Sequence, residues 1–498
     1  MSRVKNVRLG AYMTTTNAPR MSRAYKVLAL TAAATFLVSL DVSIVVVAKR
    51  TIEDDLGGGS LLTWVFSAYA IAYAAGLLTA GRFADVFGRK RSFLRGLALF
   101  SFGSLLCGIA PSALLLVIAR IVQAVGGAML TPASIALVLP EFPVEKRTQA
   151  IAIWGATGGL AAALGPSVGG LLVDVWGWRS LFFINIPLTI ITIILGRRIL
   201  HESKDPNAQR RVDYRSAVYG TAGIALVVLG ISQSEVWGWG DTLTIGSIIF
   251  GLVLIVLFVQ RCSVVDSPLL DLKLFKLPFV VAANVSGVLF SAGFIGMWLL
   301  NTFWLQAVWG YSVVASGLAT MPGPGTAALV APFAGRYASK FGHARVLLVG
   351  SILLGLGTIG LTSSIPVEPA YVTRYLPWMI MTGFGVGLSI STLSSAATAF
   401  LKPAQFAMGS ALNTTGRQVG TALGAALSLA IAAPALARIE GWRKADLPID
   451  ANNIAEMHTA WTMNAVIYFV AGIVMIIIFR KPTEAQMDDA RMEIVFED

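Results

Sequence analysis

Two opposite charges set in apolar surroundings are the residues best placed to do chemistry in this chain. Asp41 sits in LVSLDVSIVVVAKR (37–50) and Arg120 in IARIVQAVGG (118–127). A lone charge inside a membrane-crossing helix is costly, so such groups pair with one another or face a wet cavity. Asp41 lies about eight residues, and Arg120 about seven, from the same face of their helices, roughly 12 Å in. Matched depth predicts that they approach one another. Two readings then stand. A permanent ion pair would only lock helix packing. A protonation switch would exploit opposed pressures: Arg120 favours the ionised carboxylate, and apolar surroundings favour the neutral acid. Asp41 is the one acid expected well inside a helix; Asp174, Asp213, Glu235 and Asp241 fall at helix ends. Proton coupling would therefore rest on Asp41. A dication would find few partners, which favours neutral or singly charged lipophilic ligands.

Other residues could bind or gate. In GRFADVFGRK (81–90), Gly81 and Gly88 suit a tight loop, Arg82, Arg89 and Lys90 hold one face, and Asp85 adds a carboxylate. The N-terminus of a later helix, expected on that face, carries partial positive charge that Asp85 could meet; a salt-bridged loop with no gating role is the alternative. Gly155, Gly159, Gly165, Gly169 and Gly170 let helices pack closely, and Pro166 can bend its helix. Arg417 and Gln418, after Asn413 in SALNTTGRQ, place a cation in mid-helix. Arg417 could bind an anionic ligand group, hold an interface or be hydrated, and the sequence does not choose among these. Trp298, Asn301, Trp304 and Gln306, with Gln123, mix apolar surface and hydrogen-bonding groups as ligand pockets do; aromatic packing explains the first four equally well. The three histidines and two cysteines have no metal-ligand spacing and no disulfide framework, so neither a metal nor a cofactor is expected.

The elements that hold these residues are membrane helices. The 498 residues are 56% hydrophobic and only 13% charged, where soluble chains are about 25% charged. Apolar runs of bilayer length recur, giving fourteen expected spans with the first from 27 to 48, too long for a signal peptide. With the N-terminus inside, roughly three quarters of the Lys and Arg fall on the cytoplasmic side. The net charge of +12 thus reports topology, not nucleic-acid binding. Trp176, Trp178, Trp237, Trp239 and Trp309 cluster near external ends, as an interfacial belt would.

GRFADVFG (81–88) recurs as GRYASKFG (335–342), with Ser339 in place of Asp85. Eight expected helices separate the copies, so the repeat is parallel. The layout is an N-terminal tail (1–26), a six-helix bundle (27–196), a linker (197–213), two additional helices (214–260), a second linker (261–277), a second six-helix bundle (278–479) and a C-terminal tail (480–498).

These motifs resemble the major facilitator superfamily, whose signature loop follows its second helix. LDVSIVVVA, WVFSAYAIAYA, RIVQAVGGAMLTP, GLAAALGPSVGG, WGWRSLFFINIP and SALNTTGRQVGTALG, in this order, resemble more specifically the fourteen-helix drug:proton antiporters. The resemblance covers nearly the whole chain. It implies an all-α fold of two six-helix bundles with two additional central helices, and a multi-pass protein of the cytoplasmic membrane with both termini inside. It also implies proton-driven export of lipophilic compounds, with protons as the second partner and no catalytic residues, by a chain read here as a monomer. Asp41 and Arg120 would couple protons in cavity-lining helices. Asp85 would latch the halves, and the glycines of the fifth helix would form the antiporter kink and the seam between halves. A dedicated metabolite, siderophore or lipid exporter fits equally well, and a non-transporting sensor less so. Two departures stand out. Lys49 and Arg50 replace an apolar exit, putting positive charge at the outer mouth. Ala124 replaces a glycine, which predicts a looser contact there.

Overall fold

The computed structural model describes residues 17–59, 61–204, 213–444 and 454–491. Its long helices are α1 (Asn17–Val47), α2 (Leu61–Phe87), α3 (Arg89–Gly108), α4 (Ala113–Val138), α5 (Val144–Trp176), α6 (Asn185–Ile199) and α7 (Tyr214–Trp237). They continue as α8 (Thr242–Val264), α9 (Pro278–Phe303), α10 (Pro322–Phe341), α11 (His343–Ser364), α12 (Leu376–Thr398), α13 (Phe406–Lys444) and α14 (Ala455–Ile478). Local chemistry sets many of their ends. The Ser112 hydroxyl and the Asp213 and Asp241 carboxylates accept backbone N–H groups at the starts of α4, α7 and α8, the usual N-cap arrangement. Gly88 (φ 106°) and Gly342 (φ 91°) turn the chain where a side chain would be strained.

Among the described residues, twelve helical stretches are long and apolar enough to cross a membrane, against fourteen expected. The two not among them are α3 and α5. Arg89, Lys90, Arg91 and Arg95 open α3 and lower its apolarity; in α5 the side chains at positions 162, 163 and 166 lie outside the described ones, and the described apolar stretch is Ser167–Trp176. The outer surface is apolar where no protein covers it. On α8, Ile249, Phe250, Val253 and Val256 are each 47% exposed or more, a continuous face suited to lipid.

The halves mirror one another in their packing. In the first, α1 packs on α5, and α4 on α2 and α3; in the second, α9 packs on α13, and α12 on α10 and α11. Across the seam, α5 meets α10 and α12, while α13 meets α2 and α4. The additional helices are central only in sequence. They form a side hairpin in which α7 touches both α2 and α13, and α8 packs on α7. Linker boundaries also shift. Helix α1 begins at Asn17, inside the expected tail. Helix α6 runs to Ile199 and α8 to Val264, and a short 3₁₀ helix (Leu272–Lys276) occupies the second linker. Positions 205–212 of the first linker lie outside the described residues.

The duplicated motif is mostly helix, not loop. Gly81 and Gly335 lie on the last turns of α2 and α10, and each faces the opposite half. A β-carbon at Gly81 would stand 2.9 Å from Ala411 Cβ and 3.1 Å from the Ala407 carbonyl oxygen of α13. At Gly335 it would stand 2.8 Å from Ala152 Cβ and 3.0 Å from the Thr148 carbonyl oxygen of α5. Two glycines related by the repeat thus close both seams on the face that carries the repeat. A valine at either position would prise a seam apart. Gly81→Val is expected to make a thiol introduced by Ser410→Cys, 4% exposed as serine, react several-fold faster with a water-soluble maleimide. Cys107 and Cys262 are both buried, so the background is low, and an unchanged rate would contradict this account of the seam.

Two further expectations need correction. Gly165 and Gly169 do not form the inter-half seam, because they face α1 in their own half. A β-carbon at Gly165 would stand 2.2 Å from Ser43 Cβ, and one at Gly169 would stand 3.1 Å from Ile44 Cα. Gly155 instead approaches Ser391 of α12 at 3.9 Å, and Gly170 approaches Val314 at 3.5 Å, measured in the same way. Helix α5 is continuous, and the Pro166 side chain lies outside the described ones. The contact near Ala124 is close, since a β-carbon at Gly103 would stand 2.6 Å from Gln123 N.

Candidate functional site

Asp41 is fully buried in the first half, within a polar cluster drawn from five helices. Arg120 Nη1 donates to its Oδ2 at 2.5 Å, and Gln123 Nε2 and Asn185 Nδ2 donate to Oδ1 at 2.8 and 2.9 Å. Arg120 is 1% exposed and has other holds. Nη1 also donates to Gln123 Oε1 at 2.6 Å, Nε donates to the Val65 carbonyl at 3.3 Å, and the guanidinium carbon lies 4.0 Å from the Tyr69 ring centroid. Ser104 Oγ accepts from Gln123 Nε2 at 2.7 Å and from Asn185 Nδ2 at 3.3 Å, and the bare backbone of Gly103 lets α3 bring that hydroxyl in.

This arrangement satisfies three acceptor directions of one carboxylate in a nearly dry pocket. Adding a proton to Asp41 would cancel the charge that holds Arg120 Nη1. Breaking a buried pair is ordinarily severe because it strands a charge. Here the Gln123 oxygen, the Val65 carbonyl and the Tyr69 face remain as partners for the guanidinium, which lowers that cost. The contact between α1 and α4 can therefore have two states.

Arg120 also lines a central cavity of about 560 Å³ between the halves. Of the expected pocket residues, Trp298, Asn301, Asn413, Arg417 and Gln418 line it, as do Gly155 and Gly159. Trp304, Gln306 and Gln123 do not. Trp304 is fully buried against Trp461 and His458, Gln306 Nε2 donates to Ser316 Oγ at 2.8 Å, and Gln123 belongs to the Asp41 cluster. Asn301 Oδ1 accepts from Trp461 Nε1 at 2.9 Å, so it is partly committed to packing. No Asp, Glu, Lys or His lines the cavity among the described residues.

On the face that carries the repeat, Asp85 Oδ1 accepts from Arg89 Nη2 and Nε at 3.0 and 3.2 Å, and Arg89 Nη2 also donates to the Pro403 carbonyl at 2.6 Å. Pro403 lies just before α13, so Arg89 bridges the halves and Asp85 aims it. Arg82 donates to Ser267 Oγ at 2.6 Å, and Lys90 Nζ to the Arg197 carbonyl at 3.0 Å. Glu202 accepts the Lys90 and Arg91 backbone N–H groups, both at 3.1 Å, capping α3. At the other face, Lys49 begins a short helix (Lys49–Leu56) and is exposed. The Arg50 side chain lies outside the described ones. Asp55 there accepts from Arg179 Nη1 at 2.5 Å and from Trp178 Nε1 at 3.0 Å, and these bonds hold its carboxyl below the usual range. Trp178 and Trp309 are thus buried and bonded rather than part of a belt, whereas Trp176 is 70% and Trp239 41% exposed.

Sequence reasoning missed Asn185, Ser104, Tyr69 and Glu202. Asn185 had a signal, as a lone carboxamide in FFINIP. Ser104 had none, because small hydroxyls in a membrane helix usually bond their own backbone.

Two pseudo-equivalent helical bundles around a shared cavity, with a lipid-facing exterior, define a multi-pass membrane protein of the transporter class. The chain belongs to the Major Facilitator Superfamily, whose profile matches residues 31–425 and 285–494. Among its relatives, the "Multidrug resistance protein B homolog" of Mycobacterium tuberculosis (strain ATCC 25618 / H37Rv) is 34% identical over 397 residues, 79% of this chain and 73% of that one. The "Tetracenomycin C resistance and export protein" of Streptomyces glaucescens is 31% identical over 435 residues, 86% and 79% of the two chains. The "Puromycin resistance protein pur8" of Streptomyces alboniger is 34% identical over 406 residues, 79% of each. Two solved structures share the fold. They are the human organic anion transporter MFSD10 (TM-score 0.63, 14% identity, covering 93% of this chain and 100% of that one) and the proton:xylose symporter XylE (TM-score 0.61, 13% identity, 92% and 96%).

Proposed function

We propose that this protein is a proton-coupled antiporter that exports lipophilic drugs or toxic small molecules by alternating access. The observation that carries the reading is the joining of a buried carboxylate, Asp41, to a cavity-lining cation, Arg120. A proton on Asp41 changes a contact that the cargo can feel. The names of the relatives, multidrug and antibiotic resistance or export proteins, support the cargo class. In this reading α3 and α5 also cross the membrane, giving fourteen spans. The face carrying the repeat is cytoplasmic, both termini lie inside, and the monomer works in the cytoplasmic membrane. In this reading the Arg89–Pro403 bridge and the two glycine seams close the cytoplasmic side.

Export of one natural product is the second reading, favoured by relatives named for single antibiotics such as tetracenomycin C. Inverted vesicles with an acidified lumen test the first. Wild type should accumulate cargo from a panel of a lipophilic dye, puromycin and neutral aromatic compounds. The lumen should alkalinise as it does so, and a protonophore should abolish both effects. Accumulation that persists after the gradient is collapsed would remove proton coupling from the proposal. Uptake confined to one panel member would favour the second reading.

A further inference from the structure

The two halves contribute unequal charge to the cavity. The charge of Arg120 is matched by Asp41. Arg417, on α13, lines the same cavity, and no carboxylate pairs with it among the described residues. Its side-chain hydrogen bond there is a long one, from Nε to Ser291 Oγ at 3.4 Å, so the outer N–H groups of the guanidinium remain available. One turn earlier, Asn413 also lines the cavity. It is 4% exposed, and its Nδ2 is buried without a hydrogen-bond partner. The two side chains lie beside Gly287 of α9, where a β-carbon would stand 3.5 Å from both Asn413 Nδ2 and Arg417 Cγ. A buried donor left unmatched is costly in a finished interior, and Asn413 Nδ2, one turn from the cavity-lining guanidinium of Arg417, favours a ligand rich in acceptors.

The rest of the wall fits the body of such a ligand. Phe294, Met297, Trp298 and Met379 give apolar surface, and a few polar groups in an apolar pocket fix orientation. We propose that Arg417 and Asn413 form an anion-binding subsite for the carboxylate, phenolate or enolate end of a lipophilic aromatic cargo. The guanidinium fork matches a carboxylate with two parallel bonds, which a lysine ammonium cannot reproduce. The subsite rests on the exporter reading for its biological meaning, but the binding it predicts is measurable without transport.

Three probes share one body and differ in the head group: 2-anthroate, its neutral amide 2-anthramide, and 2-(aminomethyl)anthracene. With the full-length protein in detergent, fluorescence titration should show 2-anthroate binding about tenfold or more tighter than the amide, with the amine weakest. Arg417→Gln should weaken 2-anthroate by about ten- to a hundredfold and leave the amide within about threefold. Arg417→Lys should recover part of the loss, and Asn413→Leu should weaken the anion less than Arg417→Gln does. Equal binding of acid and amide by wild type, or no binding of 2-anthroate, would overturn the subsite. So would an Arg417→Gln variant that loses both probes alike, since that marks a structural role. Gradient-driven uptake of the amide or amine without preference for the acid would remove the subsite and leave the exporter standing. Tight 2-anthroate binding with no gradient-driven uptake of any probe would do the reverse.

Discussion

Asp41→Asn is expected to abolish gradient-driven accumulation, by a hundredfold or more, in a protein that still folds and still binds cargo. Asparagine has the size of aspartate and keeps one oxygen to accept from Arg120. Its new NH₂ group meets the donors of Gln123 and Asn185, but Asn185 Oδ1 has no partner, so turning that amide offers an acceptor. Fold is therefore retained at a cost. Stranding a buried cation costs roughly 3–5 kcal/mol in closed sites, and the remaining partners of Arg120 should hold the loss to the lower end of that range. The double variant Asp41→Asn with Arg120→Gln removes the stranded charge. It should melt above the single variant while remaining inactive. The assay is uptake into inverted vesicles alongside a melting temperature in detergent. Gradient-driven uptake equal to wild type would end the coupling assignment. A double variant no more stable than Asp41→Asn would show that the pair is not energetically coupled.

The second large effect is structural. A β-carbon at Gly424 would stand 2.0 Å from the Ala292 carbonyl oxygen and 2.4 Å from Ala292 Cα. Both obstacles are backbone, so no side-chain rotation relieves them and α9 must leave α13. Overpacking of an interior ordinarily costs about 1–3 kcal/mol; a backbone collision along a whole helix contact should exceed it. Gly424→Val is expected to yield little monodisperse protein, and Gly424→Ala to melt well below wild type. Gly246→Ala, on the lipid-facing helix α8 with nothing within 4 Å of the new methyl, should melt like wild type. Equal melting of Gly424→Ala and Gly246→Ala would mean that α9 and α13 pack less closely than described. Arg417 and Asn413 lie two to three turns earlier on α13, so the same displacement would also spread the anion subsite.

Much of this was legible because membrane helices announce themselves. Spans, duplication and the matched depth of Asp41 and Arg120 follow from hydropathy, from GRFADVFG and GRYASKFG, and from the rise of a helix. What stayed hidden is the rotation of each helix about its axis. Trp298 and Trp304 are six residues apart, and at 3.6 residues per turn they leave the helix about 240° apart, so one reaches the cavity from α9 and the other packs on Trp461. Gly165 and Gly169 promised a seam between halves, but spacing shows only that some helix comes close, not which one. Asp85 drew attention as the acid of its motif, whereas the bond across the seam is made by Arg89. Composition made α3 harder, not easier: Arg89, Lys90, Arg91 and Arg95 hold it below the apolarity of its neighbours while it packs in the same bundle.

The side hairpin gives the molecule a mechanical handedness. Helix α7 touches α2 of one half and α13 of the other: Thr221 meets Thr79 through their hydroxyls at 3.0 Å, and Val227 and Ile231 pack with Ala426. The opposite seam, where α5 meets α10, has no such strap among the described residues. A door hung on one jamb swings from that side, and a two-bundle protein strapped along one seam should swing likewise. The gap would then widen more between α5 and α10 than between α2 and α13.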